Sequence, residues 1–332
     1  MNPANTLTNK IAEKFLIESS SVDLSKFTQI DYDAAMVLSS DQSGKSLSLE
    51  GLTSLSNSCA VELAKSSRFG YIDLGGIRKL SDTSLIALSK YKGGALFLHG
   101  LTNLSDVGAK ALAKHRGNLY FRGVTKLSVA AAQALARHKG DELHLDGIKK
   151  LSVPIAAALS KHTKDLYLNG VKQLTPTSAA MLAKRTCGSL DLDGLTSLSN
   201  ATAMALAPWR RSLSLNGLTT LSDATAATLA QGKNWLSLDG LKNLPDSTIA
   251  ILAKFRGTLS LQGLTSLSDA GAAALRKHVS GSLFLRDLTY ISDAAVASLA
   301  KHYYNLDYGP FFVHGKGQAV FARALARLRK RV

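Results

Sequence analysis

The chain has 332 residues, of which 45% are hydrophobic and only 6 are proline, so we expect a folded protein and exclude a disordered one. Aromatic residues make up only 6%, which favours close-packed layers of small elements over one large aromatic core. The formal net charge of +16 makes an anionic partner a class that must be considered.

The first predicted element is a helix within residues 1–21. Leu7, Ile11, Phe15 and Leu16 form an apolar stripe along it, and we expect this helix to cap the array that follows. The segment lacks a basic stretch followed by an apolar run, and no run of about 20 apolar residues occurs in the chain. We therefore expect a cytoplasmic protein without a signal peptide or transmembrane segment, although the polar start also suits non-classical export as an effector.

Residues 22–305 form an array of about 12 repeats with a spacing of 23 to 25 residues. Eleven repeats match one another closely, and the two outermost repeats are degenerate. The repeats begin at Val22, Leu47, Ile72, Leu96, Leu119, Leu143, Leu166, Leu190, Leu213, Leu236, Leu259, Leu283 and Leu306. A fixed period in this range predicts a solenoid, in which only the stacking of neighbouring repeats creates a core.

Each repeat reads approximately LxLxGLxxLSDxxAxxLAKHxG. The alternating LxL predicts a very short strand whose leucines face inward and whose intervening residues face outward. The glycine that follows, such as Gly100, indicates either a positive φ angle or a close backbone approach. Ser105 and its equivalents are predicted helix N-caps, and Asp246 is expected to replace the cap where Pro245 interrupts the pattern. A helix of two to three turns completes the repeat.

The pattern LxLxxΦxxL(S/T)D followed by xxLA resembles the cysteine-containing subclass of leucine-rich repeats, with Leu52, Ile77, Leu101 and Val124 in the cysteine position. The regular GLTSLSDA motif is also similar to the repeats of bacterial repeat proteins. Unlike the family, this chain has mostly polar residues three positions before the strand and shows no F-box-like segment before the array, so a ubiquitin-ligase adaptor role is not expected. The resemblance implies a right-handed α/β solenoid, a horseshoe with a concave parallel sheet and convex short helices.

Residues 306–332 are predicted to form the second cap, with a basic amphipathic helix. Phe321, Leu325, Leu328 and Val332 supply its apolar stripe. A helix at each end would cover the core that the terminal repeats otherwise expose.

The outward residues of successive strands predict a partner-binding surface on the concave sheet. Its candidate residues are Phe97, His99, Tyr120, Arg122, His144, Asp146, Tyr167, Asn169, Asp191 and Asp193. Four of them, Phe97, Tyr120, His144 and Tyr167, share one outward position and predict a stacked column. Such rings either pair across strands for stability or form the centre of an interface, where Tyr, Phe and Arg are enriched. We favour a protein or peptide partner.

The turns after the helices carry two cations in most repeats, which predicts a basic edge. The candidate polyanion-binding residues are Lys114, Arg116, Arg137, Lys139, Lys161, Lys164, Lys184, Arg185, Arg210 and Arg211. This edge suits nucleic acid, acidic polysaccharide or phospholipid, but cations are also what any helix C-terminus favours. The same turns contain His115, His138, His162, His278 and His302, which we expect to be solvated or to cap helices, because about 8 to 10 Å between helices is too far for a shared metal ion.

The sequence contains no complete catalytic motif. Gly44-Lys45-Ser46 lacks the earlier glycine of a phosphate-binding loop, and HExxH, GxSxG and CxxC are absent. Cys59 and Cys187 fall five repeats apart, about 24 Å at strand spacing, so no disulfide is expected. The sequence thus predicts a monomeric, non-enzymatic interaction scaffold without cofactor or metal. Polyanion binding is the alternative, and the sequence does not identify the partner.

Overall fold

The structure is a computed structural model that describes residues 5–40, 44, 46–66, 69–209, 211–278, 281–288 and 290–303. The chain divides into two compact bodies, Met1–Gly170 and Val171–Val332, which we call the N-terminal and C-terminal bodies. The cap that the sequence predicts at residues 306–332 lies outside the described residues. Both bodies alternate short strands with short helices.

The N-terminal body contains eight described strands and seven described helices. The strands are β1 (Thr6–Leu7), β2 (Gln29–Ile30), β3 (Leu47–Ser48), β4 (Tyr71–Asp73), β5 (Ala95–Phe97), β6 (Leu119–Tyr120), β7 (Glu142–His144) and β8 (Asp165–Tyr167). The helices are α1 (Asn9–Ile17), α2 (Tyr32–Ser39), α3 (Asn57–Leu63), α4 (Asp82–Leu88), α5 (Asp106–Leu112), α6 (Val129–Leu135) and α7 (Val153–Leu159). Strands β3 to β8 form a parallel sheet in chain order, and β1 pairs with β2.

The C-terminal body continues the same alternation. Its described strands are β9 (Leu190–Asp191), β10 (Ser212–Ser214), β11 (Trp235–Ser237), β12 (Thr258–Ser260), β13 (Ser266–Leu267), β14 (Leu283–Phe284) and β15 (Tyr290–Ile291). Its described helices are α8 (Pro176–Leu182), α9 (Asn200–Leu206), α10 (Asp223–Leu229), α11 (Asp246–Leu252), α12 (Asp269–Leu275) and α13 (Asp293–Tyr303). Strands β9, β10, β11, β12 and β14 form a parallel sheet, and β13 pairs with β15.

The strand leucines form the core in the register that the sequence predicts. Leu96 pairs with Leu119, and Leu119 pairs with Leu143. All three side chains are fully buried, as is Leu98, the second leucine of its repeat. The predicted register is therefore confirmed, and the residues between the leucines lie on the opposite face of the sheet, which we call the strand face.

The recurring glycine is needed for close backbone approach. A Cβ atom on Gly123 would lie 2.5 Å from the carbonyl oxygens of both His99 and Leu101 in the preceding repeat. Among the described glycines, only Gly44, Gly188 and Gly281 have positive φ angles, and none of them is the strand-end glycine. The sequence left two explanations for this glycine, a positive φ angle or a close backbone approach. The close approach of consecutive turns is the correct one.

Serine hydroxyls both cap the helices and join consecutive repeats. Ser105 Oγ accepts a hydrogen bond from the Gly108 N–H at 2.9 Å and donates one to the Asp82 carboxylate in the previous repeat. Serine or threonine side chains accept a capping hydrogen bond at nine of the described helices, at Ser56, Ser81, Ser105, Ser128, Thr175, Ser199, Ser222, Ser268 and Ser292. The cap expected from Asp246 is wrong: Pro245 occupies the N-cap without a side-chain bond, and Asp246 accepts from Ser268 Oγ at 2.5 Å.

The start of the array differs from the sequence-based expectation. Two turns of 3₁₀ helix, Ser19–Ser21 and Leu24–Lys26, replace the strand expected at Val22. The Asp23 carboxylate accepts the Ser25 N–H at 3.1 Å, and this local bond competes with strand pairing. Helix α1 is present within residues 1–21 and packs on α2, but Leu7, which the sequence placed on this helix, lies in strand β1 and pairs with Ile30.

Candidate functional site on the strand face

Four rings stack along the strand face of the N-terminal body. The centroid of Phe97 lies 4.3 Å from that of Tyr120, Tyr120 lies 4.1 Å from His144, and His144 lies 3.8 Å from Tyr167. The interplanar angles are 21° or less, so the rings are close to parallel. We call these four residues the aromatic column. Each ring is partly exposed, so the column presents its edges to solvent.

Two carboxylates hold the His144 ring from opposite sides. Nε2 lies 3.2 Å from Glu142 Oε2, and Nδ1 lies 3.3 Å from Asp146 Oδ2. Glu142 Oε2 also accepts bonds from Tyr120 Oη at 2.6 Å and from Asn118 Nδ2 at 3.0 Å. These hydrogen bonds hold the Tyr120 and His144 rings of the column in one arrangement.

Sequence reasoning missed the supporting residues of this network. Glu142, Asn118 and Tyr71 are not among the residues that the sequence predicts for this surface. Tyr71 packs edge-on against Phe97 with centroids 5.2 Å apart. All three occupy the position just before the strand leucine, which is the signal that would have placed them beside the column.

Burial and charge modify the ionisable groups around the column. Burial, reinforced by the hydrogen bond to Glu142, raises the pKa of Tyr120, so its hydroxyl remains protonated. Burial alone would raise the pKa of Asp146, but bonds from His144 and the Asn169 N–H outweigh it and lower that pKa. Burial, together with the nearby Arg122 charge, lowers the pKa of His99. The face therefore combines the protonated Tyr120 hydroxyl with the ionised Asp146 carboxylate.

The remaining predicted face residues are partly engaged by their neighbours. The Asn169 N–H donates to Asp146 Oδ1 at 3.0 Å in the N-terminal body. Asp191 and Asp193 lie on the strand face of the C-terminal body. There Asp193 Oδ1 accepts from Ser214 Oγ at 2.6 Å and from the Asn216 N–H at 2.8 Å. Asp193 thus contributes to an internal hydrogen-bond ladder.

Most residues of the predicted basic edge are exposed at the turns after the helices. In the N-terminal body the exposed members are Lys114, Arg116, Arg137, Lys139, Lys161 and Lys164, and in the C-terminal body they are Lys184 and Arg211. Lys164 Nζ forms an ion pair with Asp141 at 2.8 Å. Arg210 lies outside the described residues.

Arg185 and the turn histidines differ from the expectation. Arg185, His115, His138, His162 and His278 are at most 3% exposed. They occupy what we call the plug position, three residues after the last leucine of each helix, where the chain turns inward before the next strand. A solvated role for these histidines is therefore wrong, and Arg185 is not available on the surface. The side chain of His302 is not among those described.

Plug side chains satisfy backbone carbonyl groups in the interior. His138 Nε2 lies 2.9 Å from Gly117 O, and Tyr91 Oη donates to Phe69 O at 2.6 Å. The rings of His138 and His162 are stacked with centroids 6.2 Å apart, closer than the helix spacing predicted. Burial lowers the pKa of His138 to about 4, so its imidazole is neutral at pH 7.

The repeat architecture decides the fold. In both bodies each period adds one short parallel strand, aligned through its inward leucine, and then one short helix. The chain has the fold of a leucine-rich-repeat protein. No protein-family model matches the sequence, and no curated protein is detectably similar to it. Within the described part of this leucine-rich-repeat chain, no helix has both the length and the apolar character needed to cross a membrane.

Several solved leucine-rich-repeat and related structures are similar to the chain. An internalin of Listeria monocytogenes is 15% identical, with a TM-score of 0.45 over 95% of this chain and 92% of that one. The yeast Rad7 and Elc1 complex is 14% identical, with a TM-score of 0.48 over 93% and 84% of the two chains. A leucine-rich-repeat protein of Leptospira interrogans is 13% identical, with a TM-score of 0.33 over 95% and 97%. At these identities the similarity extends to no ligand or partner.

Proposed function

We propose that the protein is a non-enzymatic scaffold that binds a protein or peptide on its strand face, with the aromatic column at the centre of the contact. The main observation in support is the column itself, four partly exposed rings stacked with neighbouring centroids 3.8 to 4.3 Å apart. Aromatic side chains lose little conformational freedom on binding and dominate interface energetics. Rings already locked by Glu142 and Asp146 lose even less.

The charges around the column favour a partner with basic side chains. Glu142, Asp146 and Asp165 lie on this face, and all three are partly exposed. Arg122 is the exposed cation beside them. An excess of carboxylates near the protonated Tyr120 hydroxyl complements Arg or Lys on a peptide, and such complementarity sets specificity and association rate.

The test is a pull-down from lysate of the source organism, with and without nuclease, using three forms of the protein. They are the wild type, a Tyr120→Ser/Tyr167→Ser variant, and an Ile86→Ser control on helix α4, where Ile86 is 42% exposed. We expect the wild type and the control to capture the same protein. Loss of two central rings is expected to weaken binding at least about 30-fold, equivalent to about 2 kcal/mol.

Circular dichroism melts of all three forms would separate lost binding from lost folding. Equal capture by the folded double variant would remove the aromatic column from the contact. Capture that disappears with nuclease in the wild type would count against a protein partner and would favour the second candidate.

The second candidate is polyanion binding by the basic edge. The observation that favours it is the exposure of Lys114, Arg116, Arg137 and Lys139, which form no ion pair with any described residue. Cations at consecutive turns lie a repeat apart, so a flexible polyanion that follows the edge would contact several of them.

Heparin chromatography at increasing salt tests this candidate. A functional edge would retain the protein above about 0.15 M salt, where the Debye length is about 8 Å. An Arg116→Gln/Arg137→Gln variant should elute earlier than the wild type. Elution of the wild type below that salt concentration, or identical elution of both forms, would indicate that the cations of the basic edge only cap helices.

A further inference from the structure

Trp235 is the most exposed aromatic side chain described on the strand face of the C-terminal body. It occupies the position just before the strand leucine, where the neighbouring repeats hold Ser189, Ser212, Thr258 and Ser282. Its side chain is 43% exposed. Apolar surface in contact with water gains free energy when a ligand covers it. The indole is therefore a candidate contact for a ligand.

One side of the indole is covered within the protein and the other is not. Phe284 stacks against Trp235 with ring centroids 5.7 Å apart and an interplanar angle of 23°. The two rings approach each other across strand β12, where Ser260 is 0% exposed. On the opposite side Trp235 pairs in register with Ser212 of β10, whose side chain is too short to cover an indole. The open side of the indole therefore faces β10.

The open side of the indole borders a shallow trough in the sheet surface. Ser212 and Ser214 of β10 form its floor, and both are partly exposed. Asp191 of β9, the register partner of Ser214, forms the wall opposite Trp235. We call these four residues the serine trough. In the N-terminal body the position of Ser214 holds the rings of the aromatic column, so the trough exists because a serine replaces a ring.

The serine trough has room for one saturated ring. Its walls lie on strands β9 and β11, two strand spacings apart, which is about 10 Å. A ring stacked on the indole lies about 4 Å from it. Substituents on the far side of that ring then come within hydrogen-bonding reach of Asp191. Because the trough opens to solvent, a ligand enters it without displacing a side chain.

The polar groups of the trough can both donate and accept hydrogen bonds. Asn216 Nδ2 donates to Ser214 Oγ at 2.8 Å, but its other bond, to Asp193 Oδ2, is long at 3.4 Å, so that N–H is available to a ligand. Ser214 Oγ donates to Asp193 Oδ1 at 2.6 Å and has a second lone pair beside the one that accepts from Asn216. Asn216 Oδ1 accepts from Ser237 Oγ at 2.7 Å and from the Asp239 N–H at 2.8 Å, which fixes the orientation of the amide.

These groups favour one ligand chemistry over three others. A flat aromatic ligand would cover the indole but leave the polar groups of the trough unpaired, which costs free energy. A cationic ligand is opposed by Arg211, which is exposed and directly precedes the floor residue Ser212. An extended peptide has no flat C–H surface to lay on the indole. A pyranose ring has a face of C–H groups, and the hydroxyl groups around its edge both donate and accept.

We propose that the serine trough binds a β-1,4-linked glucose oligosaccharide. The C–H face of one ring lies against Trp235, and its hydroxyl groups bond to Asp191, Ser214 and Asn216. All ring substituents of β-linked glucose are equatorial, so both ring faces carry only C–H groups and the chain stays extended on the open sheet. This site is separate from the aromatic column and does not depend on the proposed protein-binding role.

The experiment is a calorimetric titration of the full-length protein with cellohexaose, with hexaglycine as an extended peptide for comparison. We expect saturable binding of cellohexaose with a dissociation constant of about 0.1 to 1 mM, as befits a ligand held on an open surface. Hexaglycine should give no saturable heat. Tryptophan emission is a second readout, because the chain has only two tryptophans and Trp209 is 6% exposed whereas Trp235 is 43% exposed.

Two variants and one control test the assignment. Trp235→Ser introduces the residue that neighbouring repeats have at this position, so it should fold, and it should weaken cellohexaose binding at least about tenfold. Ser214→Tyr fills the trough with the side chain that Tyr120 and Tyr167 place at the equivalent position, and it should abolish binding. Met204→Ser on helix α9, where Met204 is 60% exposed, is the control and should bind like the wild type. Circular dichroism melts establish that each form is folded.

Three results would overturn the proposal. These are an absence of saturable cellohexaose binding by the wild type, equal binding of hexaglycine, which would assign the surface to a peptide, and undiminished binding by folded Trp235→Ser. If one of the two trough variants does not fold, the other decides. If neither folds, the emission of the wild type decides, since unchanged emission at saturating cellohexaose would exclude contact with Trp235.

Discussion

The buried His138 should make the stability of the protein sensitive to mild acid. Burial lowers its pKa from the ordinary 6.5 to about 4 in the folded state, whereas the unfolded chain titrates near 6.5. The unfolded state therefore binds the proton first. The stabilising contribution is complete above pH 6.5 and is lost as the pH falls from 6.5 towards 4, because each proton taken up favours unfolding.

The magnitude follows from the gap between the two pKa values. At about 1.4 kcal/mol per pH unit, the full loss is about 3 kcal/mol, of which about 2 kcal/mol is lost by pH 5. His138 is 2% exposed, so solvent screening reduces this figure little. The nearby His115, whose pKa burial also lowers, adds to the acid sensitivity of the wild type.

The assay is urea unfolding at pH 7.5 and pH 5, comparing the wild type with His138→Phe. Phe255 fills the same plug position in another repeat and is 3% exposed, so a phenyl ring is compatible with this turn. At pH 7.5 the free energy of unfolding of the variant should be about 1 kcal/mol lower than that of the wild type, because the bond to Gly117 O is lost. Between pH 7.5 and pH 5, however, the free energy of unfolding of the variant should fall by about 2 kcal/mol less than that of the wild type. Lys139→Ser, in the same turn, should behave like the wild type. An identical acid loss in His138→Phe would refute the reasoning.

Two further predictions concern the contacts between repeats. Ser105→Ala removes both the cap of α5 and the bond to the preceding repeat, so it should reduce the free energy of unfolding by about 1 to 2 kcal/mol, measured by urea titration. Ser152→Ala should cost less, because Ser152 makes no side-chain cap bond, and equal losses would contradict the proposed role of the cap. Gly123→Ala should cost about 2 to 3 kcal/mol, since the new methyl group meets two carbonyl oxygens. Gly232→Ala meets the end of the Phe255 ring at 2.9 Å and one carbonyl oxygen, Leu229 O, at 3.2 Å, so it should cost clearly less in the same urea titration. The opposite order would show that backbone packing does not set the glycine requirement.

The parts of the fold set by periodicity could be predicted from the sequence. The alternation of leucines fixed which residues face inward, and the pairing of Leu96 with Leu119 and Leu143 follows from it. The stacked column followed as well, because residues at one outward position of parallel strands must be neighbours. These inferences needed only the period and the side-chain direction of a strand.

The parts that depend on turn geometry could not be predicted. A histidine between lysine and arginine, as at His138, has the local composition of a surface turn, and only the path of the chain after the helix shows that it points inward. The glycine at one plug position, Gly232, was overlooked for the same reason, since an absent side chain matters only once the position is known to be filled elsewhere. The Glu142 and Asn118 bonds depend on side-chain rotamers, which the repeat pattern does not specify.

The serine hydroxyls that connect several helices to the one before them have a consequence for how this chain can change length. Ser128 donates to Asp106 as Ser105 donates to Asp82, and Ser268 and Ser292 donate in the same way to Asp246 and Asp269, so these four rungs use the same pair of groups and each reaches only its immediate neighbour. Removing one whole period would place Ser152 opposite Asp106 and restore the rung, whereas removing a single strand residue would turn leucines outward. Insertions and deletions in this gene should therefore be tolerated in steps of 23 to 25 residues.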